Sequence, residues 1–201
     1  MASWGPFDLV DCDPDPLAQF ARWFEQATDM AEREAVALVS ATADGRPSAR
    51  MVLLRHRDAT SVGWYTNYES RKGRELSANP HAAILWYCEP LGRQVRFEGA
   101  VSPMSDAESD AYFAARPRGH QIGAHASRQS ARQVSRADLE ARVAALEVEY
   151  AGRVIPRPRY WGGYRLTPSV VEFFQQRDDR LHDRVVYERD DARWHLERRD
   201  P

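Results

Sequence analysis

An α+β fold with an antiparallel sheet or barrel is what this sequence predicts, and three observations predict it. Apolar, β-branched runs lie at both ends of the chain, stretches of helical period lie between them, and the regular strand–helix alternation that builds a parallel sheet does not occur.

The elements follow in order. Asp15 and Pro16 read as an N-cap and first helical residue, and Leu17, Phe20, Ala21 and Phe24 recur at helical spacing, which predicts a first helix ending near Met30. Residues 1–14 are expected to be a flexible N-terminal segment of a single domain spanning 1–201. Two strands within "AVALVSATADGRPSARMVLLRHRD" are joined at Asp44-Gly45, a dipeptide suited to the left-handed backbone of a tight hairpin. "SVGWYTN" (61–67), "HAAILWYC" (81–88) and "RQVRFEGAV" (93–101) predict three more strands. Between the first two of these, Ser70 is placed to cap a short helix running to about Ala78. Ser105 and Glu108 form a capping box for "DAESDAYFAARP", which Pro117 closes. Residues 115–130, "ARPRGHQIGAHASRQS", are too basic and irregular for a core and read as a binding loop or a solvated connection. A longer helix is expected from Ser135, carrying Leu139, Val143, Leu146 and Tyr150 before Gly152 ends it. The last third, "WGGYRL", "SVVEFFQ", "RLHDRVVYE" and "RWHLERR", returns to strands.

Composition excludes several classes. An apolar content of 43% and a charged content of 29% are those of a globular chain, so disorder and coiled coil drop out. No apolar run approaches a membrane span and the first residues lack a signal-peptide pattern, so a soluble, cytoplasmic protein is expected. Cys12 and Cys88 are too few for a disulfide framework or zinc site. The 28 basic residues are balanced by 30 acidic ones, which argues against a nucleic-acid or membrane partner and makes any anion site local. The chain has no G-x-G-x-x-G, Walker loop, G-x-S-x-G or H-E-x-x-H, and no metal site is expected.

Three stretches carry candidate chemistry. "RLHDR" (180–184), read as a strand, puts Arg180, His182 and Arg184 on one face as anion donors; a solvated strand face is the alternative. "SRK" (70–72) opens a helix, where free backbone N–H groups and the dipole already favour an anion, though an exposed helix start reads equally simply. Lys72 is the single lysine among the 28 basic residues, which hints at a geometric demand for a compact ammonium in place of a planar fork, although the arginine bias alone is not functional evidence. The third stretch, 115–130, contributes Arg116, Arg118, His120, Gln129 and Ser130. Trp161 and Tyr164, flanking Gly162-Gly163, read as packing around a strand bend.

"RMVLLR", "YTNYESRKG", "GRQVRFEG", "YFAARPRGHQIGA", "SRQS", "YWGGYRL", "VEFF" and "RLHDR" occur in this order from Asp15 to Pro201, and together they resemble the pyridoxine/pyridoxamine 5′-phosphate oxidase family. The resemblance implies an antiparallel split β-barrel with packed helices, and a homodimer with FMN at the subunit interface. It implies FMN contacts at Arg50, Met51, Val52, Leu53, Tyr65, Thr66, Ser70, Arg71, Lys72, Gln94, Gln129, Ser130, Phe174 and Arg184, with the "RK" pair gripping the phosphate. Tyr112 and Arg116 would take the substrate phosphate, and Arg180 and His182, the residues implied in catalysis, would flank the pyridine ring. The implied reaction converts pyridoxamine or pyridoxine 5′-phosphate to pyridoxal 5′-phosphate with dioxygen, releasing hydrogen peroxide.

The chain also departs from the family pattern. Arg55 replaces a lysine and His120 a serine in the substrate-phosphate site, Phe174 replaces a tryptophan at the flavin edge, and Gln176 a glycine. The N-terminus lacks an Arg-Arg-x-Tyr segment. Two alternatives therefore stand beside the oxidase reading: a phenazine-pathway-like oxidase of the same fold, and a flavin-binding module without turnover.

Overall fold

Residue pairing across one long strand organises the molecule. The structure is a computed structural model and describes residues 5–133, 135–191 and 193–201. Among them, nine strands form one antiparallel sheet: β1 (Ala35–Ala41), β2 (Pro47–Leu53), β3 (His56–Arg57), β4 (Val62–Asn67), β5 (His81–Cys88), β6 (Arg93–Pro103), β7 (Trp161–Gln175), β8 (Asp183–Asp190) and β9 (Arg193–Arg198). The order is β2-β1-β5-β6-β7-β4-β3, with β9 pairing β8. One edge of β7 pairs with β6 along most of its length; the other pairs with β4 through Trp161–Leu166 and with β8 through Val170–Gln175. A register shift at Glu98/Gly99 bends the β6–β7 ribbon, and the sheet curls into a half-barrel.

Helix α1 (Pro16–Gln26) fills the concave side. Asp15 Oδ1 accepts the Leu17 N–H at 2.8 Å, and Pro16 occupies the first turn, where its missing N–H costs nothing. Phe20 and Phe24 then pack edge-on against one another, and Phe20 also meets Trp86 of β5 and Phe97 of β6. Each such side chain, buried to 1% exposure or less, contributes roughly 1.5–3 kcal/mol of hydrophobic stabilisation. The helix ends at Gln26 rather than near Met30, because Ala27 turns out of helical geometry into the core.

Helices α2 (Arg71–Ala78), α3 (Asp106–Ala115), α4 (Arg118–Ala126) and α5 (Arg136–Glu149) complete the fold. The Ser70 cap, the Ser105–Glu108 capping box and the Ser135 cap form as expected. Two expectations are corrected. Residues 118–126 are not an irregular loop but helix α4, held by burial of Ile122 and Ala126 on one face. "RLHDR" is not one strand: Asp179 and Arg180 take left-handed backbone (φ 55° and 61°) in a turn, and β8 begins only at Asp183. Within residues 5–14 Phe7 is buried: it lies against Trp23 and Phe173, and its N–H donates to Asp183 Oδ2 at 3.1 Å. The first four residues of the expected flexible segment lie outside the described region. No helix among the described residues is long and apolar enough to cross a membrane.

Candidate active site

Between β2, β4, α2 and the α3–α4 corner lies a cleft of about 490 Å³. All but three of its lining residues are ones the sequence nominates: Met51, Val52, Leu53 and Arg55 from the β2 end, Tyr65 and Thr66 from β4, Lys72, Gln129, and Tyr112, Arg116 and His120. Ala115, Pro117 and Trp161 are the additions. Trp161, read from sequence as packing, is a wall. Its ring is parallel to Tyr65 (centroids 5.6 Å, 12°), which stacks on Tyr112 at 3.7 Å, and the Arg116 guanidinium lies 4.5 Å above the indole. The available signal was position alone, an aromatic beside two glycines.

At one end stands Lys72, 7% exposed. Ser70 caps α2 by accepting the Gly73 N–H at 3.3 Å, which fixes Lys72 in the first helical turn. Its Nζ donates to Gln129 Oε1 at 2.7 Å, Thr66 Oγ1 at 3.1 Å and Ser70 Oγ at 3.4 Å. All three acceptors are neutral, and no carboxylate among the described residues pairs with the ammonium. Burial, with the charge of Arg50 second, pushes Lys72 down to about 8. At the other end, Arg116 Nη1 is buried without a hydrogen-bond partner. A buried ammonium without a counter-ion and an unused guanidinium N–H are the donors that a ligand with anionic groups requires.

Arg50 and Arg71 are not among the residues lining the cleft. Both contact Glu75, at 3.2 and 2.8 Å. Ser130 also lies outside the wall, exposed and with left-handed backbone (φ 67°).

The remaining nominated residues are not brought to this cleft. Gln94, Phe174 and Arg184 are register partners across β6, β7 and β8, and they share the sheet face opposite Val95, Phe173 and Val185 of the core. His182 packs its ring 4.8 Å from Phe174, and its Nδ1 accepts the Arg177 N–H at 3.1 Å, which leaves Nε2 as the N–H donor. Glu172, 3% exposed, pairs with Arg184 and Arg96. Arg180 is exposed in the turn. In strand order, four spacings separate Leu53 on β2 from Phe174 on β7, roughly 19 Å along the sheet at ~4.8 Å each. Met51, Leu53 and Tyr87, 64%, 42% and 48% exposed, lie on the same face between and beside the two groups.

Comparison with known proteins accounts for both halves. Residues 24–151 match the pyridoxamine 5′-phosphate oxidase family, and residues 161–201 match the C-terminal dimerisation region of pyridoxine 5′-phosphate oxidase. The chain is 53% identical over 191 residues to a pyridoxine/pyridoxamine 5′-phosphate oxidase of Rubrobacter xylanophilus, covering 94% of this chain and 88% of that protein. It is 51% identical over 193 residues to that of Myxococcus xanthus, covering 94% of each. Among solved structures, PhzG from Burkholderia lata 383, in complex with tetrahydrophenazine-1-carboxylic acid, superposes with a TM-score of 0.93 at 34% identity over the whole of both chains. A pyridoxamine 5′-phosphate oxidase-related, FMN binding protein of Nostoc punctiforme shares the fold, with a TM-score of 0.73 at 18% identity over 96% of this chain and all of that one. With its half-barrel, its dimerisation region and relatives of this identity over nearly its full length, the chain belongs to the pyridoxine/pyridoxamine 5′-phosphate oxidase family.

Proposed function

We propose that this oxidoreductase is an FMN-dependent oxidase of pyridoxamine 5′-phosphate and pyridoxine 5′-phosphate, working as a homodimer with each cofactor held between two chains. The observation that carries the reading is the buried Lys72 ammonium, bonded only to neutral oxygens at the mouth of a helix, opposite the unpartnered Nη1 of Arg116. These are two cationic positions in one cleft, one for the phosphate of a flavin and one for the phosphate of a substrate.

Lys72, Arg71 and the α2 N–H groups would hold the FMN phosphate, and Met51 to Leu53 with Tyr65, Thr66 and Gln129 would line the cofactor's path. Bound there, FMN supplies the acceptor for the hydride that leaves the substrate's 4′ carbon. Arg116, Tyr112, Arg55 and His120 bind and orient the substrate phosphate, so that binding energy far from the reacting carbon fixes its position. The stacked Tyr65, Tyr112 and Trp161 rings exclude water from that side of the cleft. His182 donates its Nε2–H to the substrate and Arg180 adds positive charge beside it, while Arg184, paired with Glu172, braces that strand end. Because these three stand apart from the cleft of their own chain, we assign them to the cleft of the partner, brought there by contact across the sheet face that carries Met51, Leu53 and Tyr87. In balance, the alcohol and dioxygen give pyridoxal 5′-phosphate and hydrogen peroxide; the amine additionally takes up water and releases ammonia.

A second reading keeps the flavin and changes the substrate. It is favoured by the likeness to PhzG bound to tetrahydrophenazine-1-carboxylic acid and by Arg55, His120 and Phe174. The higher identity to the curated oxidases supports the first. Purified protein should show a flavin absorbance spectrum and consume oxygen, with stoichiometric peroxide, on addition of pyridoxamine 5′-phosphate. Bound flavin that ignores both phosphorylated substrates but is reduced by a dihydro- or tetrahydrophenazine carboxylate would establish the second reading. Bound flavin that no such donor reduces would leave a flavin-binding module.

A further inference from the structure

Glu75 is a buried carboxylate, 5% exposed, one helical turn beyond Arg71, and it has no place in the chemistry described so far. Removing a charge from water is expensive unless every lone pair is answered, and here the answer is unusually complete. Oε1 accepts from Arg71 Nε at 2.8 Å, while Oε2 accepts from Ser40 Oγ and Ser48 Oγ, each at 2.6 Å, and from Arg50 Nη2 at 3.2 Å. The donors come from β1, β2 and α2. One side chain therefore ties the start of the phosphate-facing helix to the β1–β2 hairpin.

We propose that Glu75 is the positioning residue of the cofactor-phosphate site, fixing Arg50 and Arg71 beside Lys72 so that the site discriminates a phosphorylated flavin from an unphosphorylated one. The inference rests on the FMN reading of the cleft. Its geometry is specific for each arginine. Arg71 spends only Nε on Glu75, which leaves both terminal amino groups of its 59%-exposed side chain for an incoming oxyanion. Arg50 spends both terminal nitrogens inside the protein, on Ser40, Leu38, Ser48 and Glu75, so it acts through its charge and by holding the hairpin in place. The charges also match. Arg50, Arg71 and Lys72 supply three positive charges and Glu75 removes one, leaving two against a phosphate monoester that carries nearly two negative charges at neutral pH. Hydrogen bonds from Ser40, Ser48, Arg71 and Arg50 outweigh the upward push of burial and hold the carboxyl down at about 2, so the offset is present throughout the working range.

The test titrates refolded apo-protein with FMN and with riboflavin, following quenching of flavin fluorescence, for wild type, Glu75→Ala, Glu75→Gln and Glu75→Asp. Loss of one charge-assisted hydrogen bond to a phosphate ligand should cut FMN affinity about tenfold or more in Glu75→Ala, and riboflavin affinity less than about twofold. The affinity ratio of the two flavins should therefore collapse, and Glu75→Asp, which keeps the charge, should recover part of it. Equal losses for both flavins would mean that Glu75 is a fold staple only, as would failure of both Glu75→Ala and Glu75→Gln to fold; no loss for either flavin also overturns the proposal. A wild-type protein that binds neither flavin would instead defeat the FMN reading itself, an outcome separable from a bound wild type whose ratio the variants leave unchanged.

Discussion

Lys72 carries two opposite dependences on pH. Burial moves the ammonium from 10.5 to about 8, so between those values the unfolded chain binds more protons at this position than the folded one. Stability rises with pH wherever the unfolded state holds more protons, and the apo-protein should therefore gain stability from Lys72 as pH climbs from about 8 toward 10.5. Under the proposed function anion affinity moves the other way, because the same deprotonation removes the charge that would hold the phosphate. Lys72→Met should flatten both slopes. Denaturant midpoints of the two apo-proteins and FMN titrations between about pH 7 and pH 10 check this, and parallel curves for wild type and variant would refute it. Burial also raises Tyr164, to about 12, and Tyr187, but both phenols are present in each protein and cancel in the comparison. At this scale the sequence was informative where chemistry is rare: the one lysine among 28 basic residues lines the cleft. It was silent where a common residue acts through its surroundings, as Trp161 and Glu75 do.

Helices and strands were legible wherever a local signal set them. The caps at Asp15, Ser70, Ser105 and Ser135 are satisfied within three residues of chain, and all four helices start where the sequence puts them. Helix α4 has no side-chain cap and contains Gly119 and Gly123, so it draws its stability from burial of Ala126 and of Ile122, the latter in the Phe113–Trp161 cluster. "RLHDR" fails as a strand for the converse reason. A turn with left-handed Asp179 and Arg180 interrupts the alternation, yet His182 still reaches Phe174, the register partner of Arg184. The "WGG" start of β7 shows what glycine accomplishes beside the cleft. A Cβ at Gly162 would stand 2.2 Å from Tyr68 Oη and 2.9 Å from Ser109 Oγ, the groups that hydrogen-bond the Gly163 carbonyl and N–H. Gly162→Ala should cost roughly 1–3 kcal/mol by overpacking. It should also weaken substrate-phosphate binding, since Trp161 moves with its neighbour. A denaturation midpoint equal to that of wild type would show that Tyr68 yields freely.

Long-range pairing is the part of the molecule that no local pattern announces. The hairpin β1–β2 can be read from the chain, whereas β7 meeting β6, β4 and β8 depends on how the whole sheet curls. That curl decides which site residues share a chain. It puts Lys72, Arg116 and Gln129 at one cleft and groups Gln94, Phe174 and Arg184 with His182 on the outer sheet face, where Phe174 lies at the opposite end of β7 from the cleft's Trp161. If a twofold contact of that face completes each site, two separately inactive variants must complement. Arg116→Ala damages the cleft half and His182→Ala the strand-end half. In a heterodimer of the two, one site would collect both lesions and the other would have neither. Random reassociation of equal amounts makes half the dimers mixed, each with one intact site, so oxidase activity should recover to about a quarter of the wild-type value. Unfolding and refolding the variants together and apart, with FMN present, measures it. Activity of the mixture no higher than that of the separate variants would mean that every site is built from a single chain, because each chain would then carry one uncorrected lesion.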